Sequence, residues 1–511
     1  MATASATPTP ATPTSASAAP GEGAVRLGAG GAGLGVPAIV LMIIAASAPL
    51  TVVAGGVTTN YAVSGLTGVP LGMLLLAGGL LVYAVGYVAM SRHIRNAGAF
   101  YAYIARGLGP EAGVAGAWTA LVAYNAMQIG IYGMLGFTAS SFVTAKTGAE
   151  IPWWAFVLVT IALIAVLGVN RVDVSVKVVG VLVALEFVAV LVYDVVSLAV
   201  APEGVSAAGF APGDLLAPGI GVVLVMGIAA FMGFESGAIY TEEARDPVRT
   251  VPRATFTAVI VIGAFYAFSA WAMLIGSGPS ATVGAAQENG PDLLFVQLGE
   301  RVGPIVADLA QVLFISSLLA ALISFHHAVA RYAFALGREH MLLPSFGRVN
   351  GRGAPALGSL AQTALAAVVV IAFAIAGAGS ELGPLYPVLT LFTWLTNLGA
   401  LGLIVLMAVV SVAVIGFFAR DRRGVGAWTR LVAPAIAAAF FATVTVLTLA
   451  NWNLLLGEAE TGFLTFALPG LLVVAAVVGL AIAVQAKHRR PHAFESIGTG
   501  AVPVARADAA R

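Results

Sequence analysis

The sequence predicts an all-α polytopic membrane protein with twelve transmembrane helices, and three observations carry that prediction. Of its 511 residues 60% are hydrophobic and only 9% charged, against about 25% charged in a soluble domain. Apolar stretches close to the roughly 20 residues needed to cross a bilayer recur from Val36 to Val484. Basic residues gather in alternate loops.

Apolar length and breaker residues place the spans at 36–62, 69–90, 114–143, 152–169, 178–200, 219–240, 255–276, 303–330, 358–378, 385–418, 432–450 and 464–485. The long segments 303–330 and 385–418 are expected to be tilted or broken. Residues 1–35 are mostly Ala, Thr, Pro, Ser and Gly, with no basic residue before Arg26. They lack the charged start of a signal peptide and are expected to be a disordered cytoplasmic tail. Residues 36–485 form the predicted transmembrane domain, and 486–511 a short polar cytoplasmic tail.

This span count sets the orientation through the excess of Lys and Arg in cytoplasmic loops. Of the 24 Lys and Arg residues, only Lys146 and Arg301 then fall outside. Both termini face the cytoplasm, as expected for a multi-pass protein of the plasma (inner) membrane. The formal net charge of +1 offers no basic surface for nucleic acid. The absence of cysteine excludes thiolate metal sites and Cys nucleophiles, and no zinc-protease, nucleophile-elbow or phosphate-loop motif is present. No enzyme, cofactor or metal site is expected.

Two spans contain helix breakers near mid-membrane. The first carries Ala-Ser-Ala-Pro-Leu-Thr from Ala46 to Thr51. Pro49 has no amide to donate and clashes with the preceding turn, so the helix is expected to open there. The sixth places Gly233, Ser236 and Gly237 around a carboxylate, Glu235. A charge at that depth costs about 2.5–3.5 kcal/mol on the gentlest scale, so Glu235 should face a cavity or a partner. Breaks in spans one and six imply a five-plus-five inverted repeat, over about 36–200 and 219–418, with extra helices at 432–485. Such paired interruptions point to a central binding site. Opened helices expose amides that suit a carboxylate and carbonyls that suit an ammonium, as in a zwitterionic amino acid.

Three motifs then carry a family resemblance. RHIRNAGAFYAYIARGLGPEAGVAGAW, starting at Arg92, is similar to the first cytoplasmic loop of the amino acid/polyamine/organocation permeases. FMGFESGAIYTEEARDPVRTVPRA, starting at Phe231, resembles their sixth span and its tail. ARYAFALGREHMLLP, from Ala330 to Pro344, resembles the segment that ends their eighth span. The resemblance runs from about Leu34 to Gln485. It implies a leucine-transporter-like fold whose first and sixth helices unwind around the substrate, with helices three and eight completing the site.

Carried onto this chain, the resemblance puts Ser47, Ala48, Pro49 and Thr51 at the first break and Phe231, Gly233 and Phe234 at the second. Tyr124 and Gln128 on the third span are weaker candidates, with packing as the alternative for Tyr124. The family's usual Gly-rich pattern in the first helix is replaced here by Ser-Ala-Pro-Leu-Thr. Relatives often carry a lysine, a stand-in for a sodium ion, where the fifth span has Glu186. Glu186 and Glu235 are the candidates for coupling to a proton or sodium, the alternative for Glu186 being a structural pair with a neighbouring helix. Asp194 is read as a residue near the outer interface, and His326 and His327 as gate or interface residues.

The function implied is secondary transport of an amino acid, with proton coupling favoured over sodium and exchange as another mode. Polyamine or organic-cation transport is the alternative within the class. A membrane-embedded nutrient sensor is the alternative outside it.

Overall fold

A computed structural model describes residues 35–94, 100–170, 176–235, 244–458, 460–495 and 497–498. Helices and turns make up the described residues, with no β-strand among them. Residues 1–34, 496 and 499–511 lie outside them, as do Arg95, Arg171, Ser236 and Gly237.

Helix α1 (Val36–Ser47) stops at Ala48, whose φ of 49° and ψ of 75° are left-handed. The proline ring at position 49 clashes with a helical residue before it, so the break falls one residue ahead of Pro49. The chain resumes through a π-helical segment, Thr51–Val57, into α2 (Thr58–Ser64). After α3 (Val69–Ser91) and α4 (Phe100–Leu108) comes α5 (Pro110–Thr147), followed by α6 (Trp153–Asn170), α7 (Val176–Val200) and the short α8 (Pro212–Leu215). Helix α9 (Ile220–Ala230) has only 11 residues and gives way to turns at 231–235.

The second half continues with α10 (Pro247–Ser277), α11 (Thr282–Asn289), α12 (Leu293–Arg301), α13 (Pro304–Arg338) and α14 (Ala356–Ala376). A π-helical segment, Val388–Phe392, opens α15 (Thr393–Arg420), which is followed by α16 (Ala433–Ala450), α17 (Trp452–Leu456), α18 (Phe463–Arg489) and α19 (Pro491–Glu495). Among the described residues eleven helical spans are long and apolar enough to cross a membrane, and α9 is a twelfth, shorter apolar helix. Segment 303–330 is not broken: α13 is one helix of 35 residues. At 1.5 Å per residue that is about 52 Å, longer than the roughly 30 Å hydrocarbon core.

The spans divide into inner and outer sets. In α5 83% of the most apolar window is buried inside the protein, against 22% in α6, α14 and α18. The outer helices turn residues such as Val159, Val368, Ile375 and Val473 outward, as a lipid-facing surface requires. Helix α5 packs against α4, α6, α13, α15 and α18, and so forms the axis of the bundle. Small residues allow this approach: a Cβ on Gly130 would lie 2.8 Å from the backbone nitrogen of Thr396 in α15.

The C-terminal segment departs from the expected polar tail. Helix α18 runs to Arg489, α19 follows, and Phe494 and Ile497 are buried. The Gly498 amide donates to Glu339 Oε2 at 3.4 Å, at the end of α13. Two apolar side chains and one backbone donor dock a stretch whose composition is otherwise polar.

Candidate functional site

The two breaks meet. Gly233 has φ 105°, and a Cβ there would come within 2.8 Å of the Ala46 Cβ in the last turn of α1. Only glycine adopts that backbone angle without strain and admits α1 so closely. Tyr266 of α10 holds the first break by donating to Ser47 Oγ at 2.9 Å. Phe231 meets the Tyr266 ring edge-on, with centroids 5.9 Å apart.

A cavity opens beside these breaks. The first contributes Ser47, Ala48, Thr51, Val52 and Gly56, and the second Met226, Ala229, Ala230 and Met232. Met127 and Ile131 of α5, Ala321 and Phe325 of α13, and Phe392, Thr396 and Asn397 beside or within α15 complete the wall. No carboxylate and no basic side chain lines it among the described residues. Asn397 is fully buried, donates Nδ2–H to the Thr393 carbonyl at 2.6 Å, and leaves Oδ1 without a partner.

Of the residues predicted for the site, Ser47, Ala48 and Thr51 line the cavity. Pro49 is buried at the break without lining it, and Phe234 packs away from it with its ring edge-on to Tyr83. Tyr124 donates to Glu235 Oε1 at 2.8 Å, and the Gly233 amide donates to Glu235 Oε2 at 2.9 Å. The Glu235 carboxylate is thereby bound behind the second break. Gln128 faces away from the cavity: it bonds His326 Nδ1 at 3.3 Å and accepts from Gln362 Nε2. Its neighbour Met127, about 100° around the helix, takes the lining position. His326 also meets Ser359 Oγ at 2.7 Å, so it joins α5, α13 and α14. Among the described residues no group of three His, Cys, Asp or Glu side chains could hold a metal ion.

Glu186 is buried on α7 and reaches the first break. The Leu50 amide donates to its Oε2 at 3.3 Å and Ser317 Oγ of α13 donates to the same oxygen at 2.9 Å. Thr51 Oγ1, on the cavity wall, donates in turn to Ser317 Oγ at 3.0 Å. A hydrogen-bonded chain therefore runs from the cavity to this carboxylate. Sequence reasoning missed the contribution of α15, although the polar pair Thr396 and Asn397 inside an apolar span was its available signal. The alanines and methionines of the wall carried none.

The sequence pattern of the family described as amino acid permease matches residues 38–496. The chain is 25% identical over 322 residues to the low-affinity putrescine importer PlaP of Escherichia coli (strain K12), covering 60% of this chain and 67% of that protein. It is 25% identical over 314 residues to the branched-chain amino acid permease BcaP of Lactococcus lactis subsp. cremoris (strain MG1363), covering 57% of this chain and 65% of that one. These relatives are membrane transporters and not enzymes. A multi-pass helical bundle, a cavity beside the break at Ala48 and the end of α9 at Ala230, and a match over nearly the whole chain agree: this protein belongs to the amino acid permease family.

Proposed function

We propose that the chain is a secondary transporter of a zwitterionic amino acid with an apolar side chain, working by alternating access and coupled to a proton at Glu186. In this reading the interrupted α9 region is the sixth of twelve spans, arranged as a five-plus-five inverted repeat with two further helices. Both termini face the cytoplasm, and the membrane is the plasma membrane.

The observation that carries the reading is the chain Thr51–Ser317–Glu186, which joins the cavity wall to a buried carboxylate. A solute that displaces Thr51 disturbs a donor on which the carboxylate depends. An ionised carboxylate is costly in a low-dielectric bundle, and a proton is the smallest ligand that removes its charge. Solute occupancy and proton occupancy are thus linked through shared donors.

The substrate class follows from the wall. The carbonyl end of α1 and the unpartnered Asn397 Oδ1 suit an ammonium, while the Thr51 amide, between the Leu50 amide held by Glu186 and the Val52 amide held by the Ala48 carbonyl, suits a carboxylate. Met127, Ile131, Met226, Met232 and Phe325 suit an apolar side chain. A polyamine would need carboxylates in the cavity, yet both Glu186 and Glu235 lie outside its lining. That favours the specificity named for BcaP over the one named for PlaP. Purified protein in vesicles, given radiolabelled leucine or putrescine under an inward proton gradient, tests this. Accumulation of putrescine in preference to leucine overturns it.

A further inference from the structure

Helix α7 carries a second carboxyl that the reading above leaves unused. Asp194 stands eight residues beyond Glu186, about 12 Å along the helix. Sequence alone suggested an interfacial residue, but Asp194 is 0% exposed. Its Oδ2 accepts from Ser269 Oγ of α10 at 2.8 Å, and its Oδ1 has no partner among the described residues. Val190, fully buried, separates it from Glu186 on the helix.

No cation among the described residues forms an ion pair with Asp194. The ion pairs among the described residues are Lys146–Asp308, Arg249–Asp246, Arg423–Asp421 and Lys487–Glu111. Arg301 of α12, near the next outward turn, donates instead to Ser197 Oγ at 3.1 Å and to the Gly276 carbonyl at 2.6 Å. Of the other ionisable groups on the elements packed against α7, Glu300 of α12 is exposed, Asp308 of α13 pairs with Lys146, His326 of α13 bonds Ser359, and the nearby tyrosine hydroxyls are already engaged. Tyr193 donates to Gln297, Tyr61 to the Ala270 carbonyl, and Tyr266 to Ser47. A buried carboxylate with an unmet oxygen and no counter-charge is among the costliest groups a bundle can hold.

The surroundings of Asp194 are asymmetric. Toward the outer end the partly exposed Arg301 donates to Ser197, Tyr193 donates to Gln297, and Gln297 donates to Ser277. Toward the cytoplasm lie Val190 and the Phe187–Phe265 ring pair, with centroids 4.3 Å apart. Polar side chains thus continue beyond Asp194 toward the end expected to be external, where Arg301 is partly exposed, whereas apolar ones close the other side.

We propose that Asp194 is a second proton-binding site, on the outer side of Glu186, through which protons enter from the external face. The entry role rests on the coupling assigned to Glu186, whereas proton binding by Asp194 does not. A proton on Oδ1 removes the charge and keeps the bond from Ser269.

The test is infrared difference spectroscopy of the purified protein between acidic and alkaline buffer, on the wild type, D194N, E186Q and the double variant. We expect D194N to lose one protonated-carboxyl carbonyl band that E186Q retains, and the double variant to lose both. D194E should restore a titrating band, and S269A should shift the pH at which the Asp194 band appears. In vesicles D194N should change how proton-driven leucine accumulation depends on external pH and leave leucine counterflow intact. A D194N spectrum with every wild-type carboxyl band overturns the proton site. Loss of the band with an unaltered external-pH profile overturns the entry role. Loss of the Asp194 band in D194N together with undiminished coupling in E186Q overturns the Glu186 reading and leaves the Asp194 site standing. If D194N does not fold, D194E and S269A decide, since unchanged titration in both also overturns the site.

Discussion

The amide of Leu50, just past the break in the first span, donates to Oε2 of Glu186 on α7 at 3.3 Å. A backbone donor freed by the break is thus satisfied by the carboxylate assigned to coupling. Glu186→Gln keeps a carbonyl acceptor for Leu50 and Ser317 but cannot exchange a proton. The expected outcome is retained leucine counterflow and loss of accumulation driven by a pH gradient. Accumulation equal to that of the parent removes Glu186 from the coupling step.

Gly233 tests the geometry of the paired breaks. A side chain at φ 105° costs on the order of 1–3 kcal/mol in backbone strain. Its Cβ would also press on Ala46. Gly233→Leu should abolish leucine binding while membrane insertion persists, as read by scintillation proximity on purified protein. Unchanged affinity would place the solute elsewhere.

Asn397 tests the polar pole of the cavity. A hydrogen bond to a charged group contributes about 1.5–3 kcal/mol, so Asn397→Leu should weaken leucine binding by about tenfold or more. The loss should be smaller for an analogue without its amino group. Equal losses for leucine and that analogue would argue that Asn397 only shapes the wall.

On the side expected to be external, Asp292 accepts from Ser141 Oγ of α5 at 2.7 Å and from Gln311 Nε2 of α13 at 3.3 Å. Burial raises its carboxyl above the ordinary 3.8, opposed by the Ser141 bond. The folded state then keeps a proton over a pH range in which the unfolded chain has released it. Stability from this group is therefore highest below pH 3.8 and falls as pH rises through the raised folded value. Asp292→Asn should flatten that part of the Tm profile in detergent. A profile as steep as the parent's would assign the slope to other carboxyls.

Topology can be read with single cysteines, because the chain has none of its own. Cysteines at Thr3 and Arg422 should react with an impermeant thiol reagent from the cytoplasm, and one at Lys146 from outside. Labelling of Thr3→Cys and Lys146→Cys from the same face would remove the assigned orientation.

Much of this architecture was legible in the chain itself. Runs of apolar residues mark spans because hydrocarbon leaves backbone groups no partner outside a helix. Pro49 and Gly233 mark the breaks through what their backbones cannot and can do, and the motifs around Phe231 and Arg92 mark the family. The faces of the helices were not legible. A span buried in protein and a span facing lipid are both apolar all round, so periodicity does not say which residues turn inward. For that reason only the tertiary structure decided that Met127 and not Gln128 lines the cavity, that α15 supplies Asn397, and that Asp194 is enclosed. It decided equally that Phe494 and Ile497 dock, because contacts between segments distant in sequence depend on the packing of the whole bundle and leave no local trace in composition.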